Sequence, residues 1–231
     1  MSKFIAKPAT TLSGELKIPG DKSISHRSIM LGSLSEGVTK VSGFLEGEDA
    51  LSTLKAFQAM GVKIEREDDN VTIHGVGIHG LKNPEKPLDL GNSGTSIRLM
   101  SGILAAQAFD SELVGDESLS KRPMDRVINP LKDMGAVIQS NDGKPPLKIT
   151  GGQSLKGIHY DLPVASAQVK SCVLLAGLYA DGDTCVTEPA PTRDHTERML
   201  KGLGYDVRVN DNQMCLTGGG KLSATAIQVP S

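Results

Sequence analysis

The sequence predicts a mixed α/β (α+β) fold assembled from three successive βαβαββ units, each about 70 residues long. Two phased markers and one contrast between helices support it. Apolar-polar-apolar runs closed by Pro or Gly recur as Leu16-Lys17-Ile18-Pro19, Leu88-Asp89-Leu90-Gly91, Tyr160-Asp161-Leu162-Pro163 and Ile227-Gln228-Val229-Pro230, their closing residues 72, 72 and 67 apart. The pairs Met60-Gly61, Met134-Gly135 and Leu203-Gly204 each end a helix-like segment, at spacings of 74 and 69. The two helical segments of a unit also differ in character.

Each unit opens on one of the short alternating strands. A Ser- or Gly-rich step follows, then a first helix, expected over 23–34, 95–107 and 166–180. Val169, Cys172, Val173, Leu174, Leu175, Ala176 and Leu178 leave the last of these almost no polar face, as in a helix inside a core. Three such helices are expected to lie buried side by side. A strand comes next, as at 38–44 and 183–188. The second helix is amphipathic, with Leu51, Leu54, Phe57 and Met60 recurring every three residues. It stops at the marker glycine, in the left-handed conformation that ends many helices. Two strands close the unit, as at 62–66 and 70–74, joined through the solvated run Glu65-Arg66-Glu67-Asp68-Asp69-Asn70. Pro130 is expected to kink or shorten the second helix of the middle unit. The units span about 18–87, 88–159 and 160–226, with 1–17 and 227–231 outside them. Ser231 stands where a fourth unit's first helix would be capped, so the chain is expected to be cut at the start of a fourth unit.

Composition narrows the function. Of 231 residues, 38% are hydrophobic and 23% charged, enough to bury a core. A net charge of -2, 3% aromatics and no Trp argue against nucleic-acid partners. The longest apolar stretch, 173–180, is far short of the roughly 18 residues that span a bilayer, and 1–8 does not read as a signal peptide. A soluble cytoplasmic protein is expected, away from membranes. Cys172, Cys185 and Cys215 are too few and scattered for a disulfide framework or zinc site and read as three free thiols. His74 and His79 flank a Gly-rich turn and read as structural. There is no GxxxxGK[ST] loop and no HExxH.

The chemistry is expected where the buried helices begin. Their starts read Gly20-Asp21-Lys22-Ser23-Ile24-Ser25-His26-Arg27, Gly91-Asn92-Ser93-Gly94-Thr95-Ser96-Ile97-Arg98 and Val164-Ala165-Ser166-Ala167-Gln168-Val169-Lys170. Any one of them reads as an ordinary start capped by Ser23, Ser93 or Ser166. Three at equivalent positions point further, because helix N-termini offer free N–H groups and partial positive charge. If the helices are parallel, these ends converge on a surface for a strongly anionic ligand. Lys121-Arg122-Pro123 places Pro at the first position of the next helix, and Thr192-Arg193-Asp194 opens the last one.

The first start, together with Gly91-Asn92-Ser93-Gly94-Thr95, Lys121-Arg122-Pro123-Met124 and Ala165-Ser166-Ala167-Gln168-Val169-Lys170-Ser171, closely resembles the 5-enolpyruvylshikimate-3-phosphate synthase family, in its class II form. The resemblance covers essentially the whole chain but only the first half of the family's length. It implies one domain of the enolpyruvyl transferase inverse α/β barrel, three βαβαββ repeats around buried parallel helices. The segment 1–17 would belong with a missing C-terminal domain, and 227–231 would start the crossover to it. The implied activity moves the enolpyruvyl group of phosphoenolpyruvate onto the 5-hydroxyl of shikimate 3-phosphate and releases phosphate, on the way to chorismate and aromatic amino acids. No cofactor or metal is implied. By the same resemblance Ser23, Arg27, Ser166, Ala167, Gln168 and Arg193 contact shikimate 3-phosphate. Gly94, Arg122 and Gln168 face phosphoenolpyruvate, in space also used by the inhibitor glyphosate, and Asn92 shapes that pocket. Lys22 touches both substrates and is the candidate catalytic residue. The acidic pair would lie in the other domain, leaving this chain half an active site and inactive alone. Two alternatives stay open. UDP-N-acetylglucosamine enolpyruvyl transferase shares the implied fold, but its active-site loop usually carries a Cys that 115–121 lacks. A non-catalytic phosphometabolite-binding module is the other.

Overall fold

The computed structural model describes residues 3–5, 7–11, 13–16 and 18–231. The first third holds α1 (Lys22–Leu34), β1 (Glu36–Ser42), α2 (Glu48–Ala59), β2 (Lys63–Glu67) and β3 (Asn70–Val76). The middle holds β4 (Leu88–Asp89), α3 (Gly94–Leu104), β5 (Ser111–Val114), a 3-10 turn at Leu119–Lys121, α4 (Asp125–Asp133), β6 (Val137–Asn141) and β7 (Lys144–Thr150). The last third holds β8 (His159–Asp161), α5 (Ala167–Gly177), β9 (Asp183–Thr187), α6 (His195–Gly202), β10 (Arg208–Asn210), β11 (Gln213–Thr217) and β12 (Ala226–Gln228).

The strands form three four-stranded sheets, ordered β4-β5-β7-β6, β8-β9-β11-β10 and β12-β1-β3-β2. In each, the first pair is parallel and the other two antiparallel. The first sheet is the exception in sequence. Leu16, Ile18 and Pro19, expected in a strand, form none, and Lys17 lies outside the described residues. The place beside β1 is taken by β12, with Lys40, Val41 and Ser42 opposite Ala226, Ile227 and Gln228. Each sheet ends in a hairpin turning on an aspartate of positive φ: Asp68 (49°), Asp142 (49°) and Asp211 (51°). Asp and Asn tolerate this conformation because their short polar side chains bond locally.

The first helices form the interior. From Ser25 on, α1 is buried to its end, as is α5 from Val169 on. Helix α1 ends at Leu34 as expected, whereas α3 and α5 are shorter than expected, stopping at Leu104 and Gly177. Buried hydroxyls within them return to the backbone, Ser28 to the Ser25 carbonyl at 2.8 Å and Ser101 to that of Ile97 at 2.6 Å. The α3 and α5 backbones meet at Gly102, where a Cβ would stand 2.2 Å from the Cys172 carbonyl oxygen. The second helices cover the outside. Gly61, Gly135 and Gly204 follow them with φ of 87°, 103° and 83°, as the marker pattern requires. Pro130 lies inside the nine-residue α4, where it has no N–H to donate to the Arg126 carbonyl. Pro123 is not at the first helical position, because Met124 is the cap and α4 begins at Asp125.

The cysteine reading is corrected. Cys185 on β9 and Cys215 on β11 stand directly opposite in the antiparallel register and form a disulfide. Spacing of 30 residues in sequence hid a cross-strand pair. Cys172 is free, and burial pushes its thiol up to about 12. Among the described residues no helix is long and apolar enough to cross a membrane.

The Gly102 contact is tested against Gly202, the last residue of α6, where a Cβ meets nothing within 4 Å. Gly102→Ala is expected to cost about 1–3 kcal/mol or more through overpacking. Gly202→Ala is expected to gain about 0.5–1 kcal/mol. Denaturant unfolding of both variants checks the contrast, and equal stabilities would refute the close helix approach.

Candidate functional site

The three buried helices start at one place. Asp21 caps α1, its carboxylate accepting the Ile24 N–H at 2.8 Å. Ser93 caps α3 and Ser166 caps α5, taking the N–H groups of Ser96 at 3.1 Å and Val169 at 3.4 Å. Ser23 is not a cap: an acidic side chain suits the positive helix end, and Asp21 occupies it. The Ser23 hydroxyl instead accepts from Arg193 at 3.2 Å. The first turns of all three helices line one cleft of about 340 Å³. Of the residues singled out in the sequence, Lys22, Ser23, Arg27, Gly94, Arg122, Ala167, Gln168 and Arg193 lie on its wall, with Asn92. Ser166 is the exception and stands at the cap of α5.

The cleft also contains Asp49, Thr95, Arg98 and His195, which the sequence reading did not assign a role. Thr95 and Arg98 stand inside a quoted helix start, where the three-residue step from Thr95 to Arg98 gave a usable signal. Asp49 and His195 open the second helices α2 and α6 and carry no motif. Five cations, Lys22, Arg27, Arg98, Arg122 and Arg193, thus face a single carboxylate, Asp49, in a chain whose net charge is -2. His195 does not add to them, because burial lowers its basicity, with Arg27 reinforcing the effect.

Each arginine is held by neutral acceptors. Arg27 donates from Nε to Thr196 Oγ1 at 2.7 Å, from Nη2 to Ser171 Oγ at 2.7 Å and from Nη1 to the Ser23 carbonyl at 3.0 Å. Arg98 reaches Gln168 Oε1 at 3.0 Å and the carbonyls of Gly94 and Pro123, both at 3.2 Å. Gln168 completes its amide by donating to Thr95 Oγ1 at 3.0 Å. Arg122 donates to the Asn92 side-chain carbonyl, and Asn92 donates to Asp116 at 2.8 Å. The Asp116 carboxyl is held low by the Leu119 N–H and by Asn92. Of the five cations on the cleft wall, Lys22 alone pairs with a carboxylate among the described residues, Asp49 at 2.9 Å. Burial lowers Arg27 to about 10 and also lowers Arg98, yet both stay charged at neutral pH.

Beneath the cleft, Lys170 of α5 is 1% exposed and pairs with Glu188 at 2.7 Å and Glu197 at 2.6 Å. Also in the interior, His26 Nδ1 meets Thr53 Oγ1 at 2.8 Å. His74 pairs with Glu65 at 3.0 Å, and His79 packs edge-on against Tyr179, so neither serves the cleft.

The comparisons with known proteins agree with one another. The family EPSP synthase (3-phosphoshikimate 1-carboxyvinyltransferase) matches residues 6–231. A 3-phosphoshikimate 1-carboxyvinyltransferase of Ruthia magnifica subsp. Calyptogena magnifica is 78% identical over 231 residues, covering 100% of this chain and 53% of that protein. The protein of the same name from Methylococcus capsulatus is 64% identical over 99% of this chain and 53% of its own length. The structure of EPSP synthase from Acinetobacter baumannii superposes with a TM-score of 0.92 at 65% identity, covering 94% of this chain and 50% of that one. The chain therefore spans about half the length of the curated relatives it matches.

His26 supplies a pH test of the interior below the cleft. Burial lowers it from the ordinary 6.5 to about 4, so the folded state stays unprotonated while unfolded chains take up a proton. Between those values the unfolded state binds more protons, and stability must fall as pH drops from 6.5 toward 4. The contribution is on the order of 3 kcal/mol. Denaturant unfolding across this range is expected to show the slope, and His26→Gln to flatten it. A slope that survives the substitution would assign it to other groups.

Proposed function

The chain belongs to the EPSP synthase family, and from that membership we propose that it forms one half of the site that joins phosphoenolpyruvate to shikimate 3-phosphate. The observation that carries this reading is the convergence of three helix starts and five cations on one cleft. Two phosphates and two carboxylates need such a surface, and arginine suits bidentate contact with both groups. The finer architecture we read as three βαβαββ units around parallel helices, one domain of the inverse α/β barrel. Two of the three sheets follow that order along the chain, and β12 fills the corresponding place in the first. The remaining groups of the site, including its acid–base pair, belong in this reading to the other half of a protein of the relatives' length. The reading places that protein in the cytoplasm.

Ser23, Arg27, Ser166, Ala167, Gln168 and Arg193 take shikimate 3-phosphate in this reading, and Gly94, Arg122 and Gln168 take phosphoenolpyruvate. Lys22 serves both, at the edge where α1 faces Asp49. The fixed Gln168 amide, bonded to Thr95 and Arg98, bridges α5 and α3, which supports its place between the two substrates. The 5-hydroxyl gives up its proton as its oxygen adds to C2 of phosphoenolpyruvate, and the methylene carbon takes up a proton to become methyl, giving a tetrahedral centre at C2. Breaking the bond from that carbon to the phosphate oxygen, with loss of the added proton, restores the double bond. No group need be held covalently by the protein, so positioning and charge stabilisation carry the rate.

The reading is tested by calorimetry on the 231-residue chain. Shikimate 3-phosphate is expected to bind weakly, on the order of millimolar, because half its contacts are missing. Equal binding of shikimate without the phosphate would overturn the assignment. Phosphate release from both substrates is expected to stay at background for this chain alone, since closure of both halves completes the site.

A second test concerns Gly94, where a Cβ would stand 2.9 Å from the terminal nitrogens of both Arg98 and Arg122. Gly94→Ala must displace these guanidinium groups. In the full-length protein it is expected to raise the glyphosate inhibition constant more than the phosphoenolpyruvate KM. Inhibition kinetics check it, and unchanged inhibition would remove Gly94 from that pocket.

A further inference from the structure

We propose that Thr196 and Ser171 are positioning residues for Arg27, a pair of hydroxyls that fixes the guanidinium and leaves its charge free for an anionic group of the substrate. The proposal rests on the reading that the cleft takes shikimate 3-phosphate. Arg27 is 4% exposed, the most deeply buried cation on the cleft wall, so it needs internal partners. Thr196 and Ser171 are each 1% exposed.

The hydroxyl protons have one consistent arrangement. Ser171 donates to the Ala167 carbonyl at 2.6 Å, and Thr196 donates to Ser171 at 2.7 Å. Both oxygens then keep lone pairs for the guanidinium, Thr196 toward Nε and Ser171 toward Nη2. With Nη1 on the Ser23 carbonyl, three of the five N–H donors are engaged. The guanidinium plane is thereby fixed from α1, α5 and α6 together, and two donors are left.

A carboxylate would hold Arg27 more strongly and would also cancel it. One is at hand in Glu197, the residue after Thr196 and itself 3% exposed. Lys170 occupies it at 2.6 Å while also holding Glu188, so Glu197 acts on Arg27 only across space. The buried lysine thus keeps the acid away from the arginine that the hydroxyls orient.

Thr196→Val keeps the shape of the side chain and removes the acceptor, leaving a buried charged donor unpaired. Calorimetry with shikimate 3-phosphate on the full chain is expected to show binding weakened about tenfold or more, and Thr196→Ser within about twofold of the unaltered protein. The second readout is the Arg27 Nε–H signal by 15N NMR in the ligand-free protein. It is expected to exchange slowly in the unaltered protein and in Thr196→Ser, and to lose protection in Thr196→Val. A role in stability alone would move neither readout. Ser171→Ala removes the other hydroxyl and supplies the binding test if Thr196→Val does not fold. Unweakened binding in these variants with an unchanged Arg27 signal would overturn the proposal. Failure of the unaltered protein to bind shikimate 3-phosphate would instead remove the functional reading, while the Arg27 signal still decides the hydroxyl pair.

Discussion

Guanidinium groups crowded around one cleft repel one another, and the ordinary remedy, a carboxylate beside each, would use up the charge that a ligand needs. Arg27, Arg98, Arg122 and Arg193 are held instead by hydroxyls, side-chain amides and backbone carbonyls. Such acceptors set the plane of the group through direction, and direction demands that the acceptors be immobile. The demand passes to the helices that carry them. Gln168 must stay beside Arg98, Thr196 beside Arg27 and Asn92 beside Arg122, across gaps between elements far apart in sequence.

Rigid placement comes from the interior. The α3 and α5 backbones touch at Gly102, which sets how close Thr95 and Gln168 stand at the other end of the same helices. The buried Lys170 ties α5 to Glu188 at the end of β9 and to Glu197 on α6. Such a buried group of charges is poor stabilisation, because desolvation offsets most of the attraction. It makes better sense as a constraint on how α6 meets α5. Core packing and charge placement are thus two ends of one set of helices.

Most strands, the helices and their markers were legible because each is local: a period of two, a face every three or four residues, a glycine after a helix. The helix starts were legible for the same reason, with Lys22, Gly94 and Gln168 within a few residues of a capping signal. Arg122 and Arg193 drew their weight from resemblance, since a single arginine in sequence does not declare what it faces. Asp49 and Thr196 left no trace, because their importance lies in partners 27 and 169 residues away. The disulfide failed to show for a related reason. Cys185 and Cys215 are neighbours only through the β9–β11 register, which no spacing of cysteines encodes. Ser23 was misread as a cap because Asp21, two residues earlier, is the better acceptor at that end.

The pairing of β12 with β1 bears on how the chain can be made. The middle sheet draws all its strands from a contiguous stretch, and so does the last, whereas Lys40 must wait for Ala226. On a ribosome the stretch emitted first would finish last, holding an unfilled parallel edge on β1 while two later sheets close. Closing so long a loop costs little more in entropy than closing a shorter one, but contacts of such separation are slow to form. Until then β1 presents unpaired backbone groups to any passing strand, its neighbours on the same polysome included.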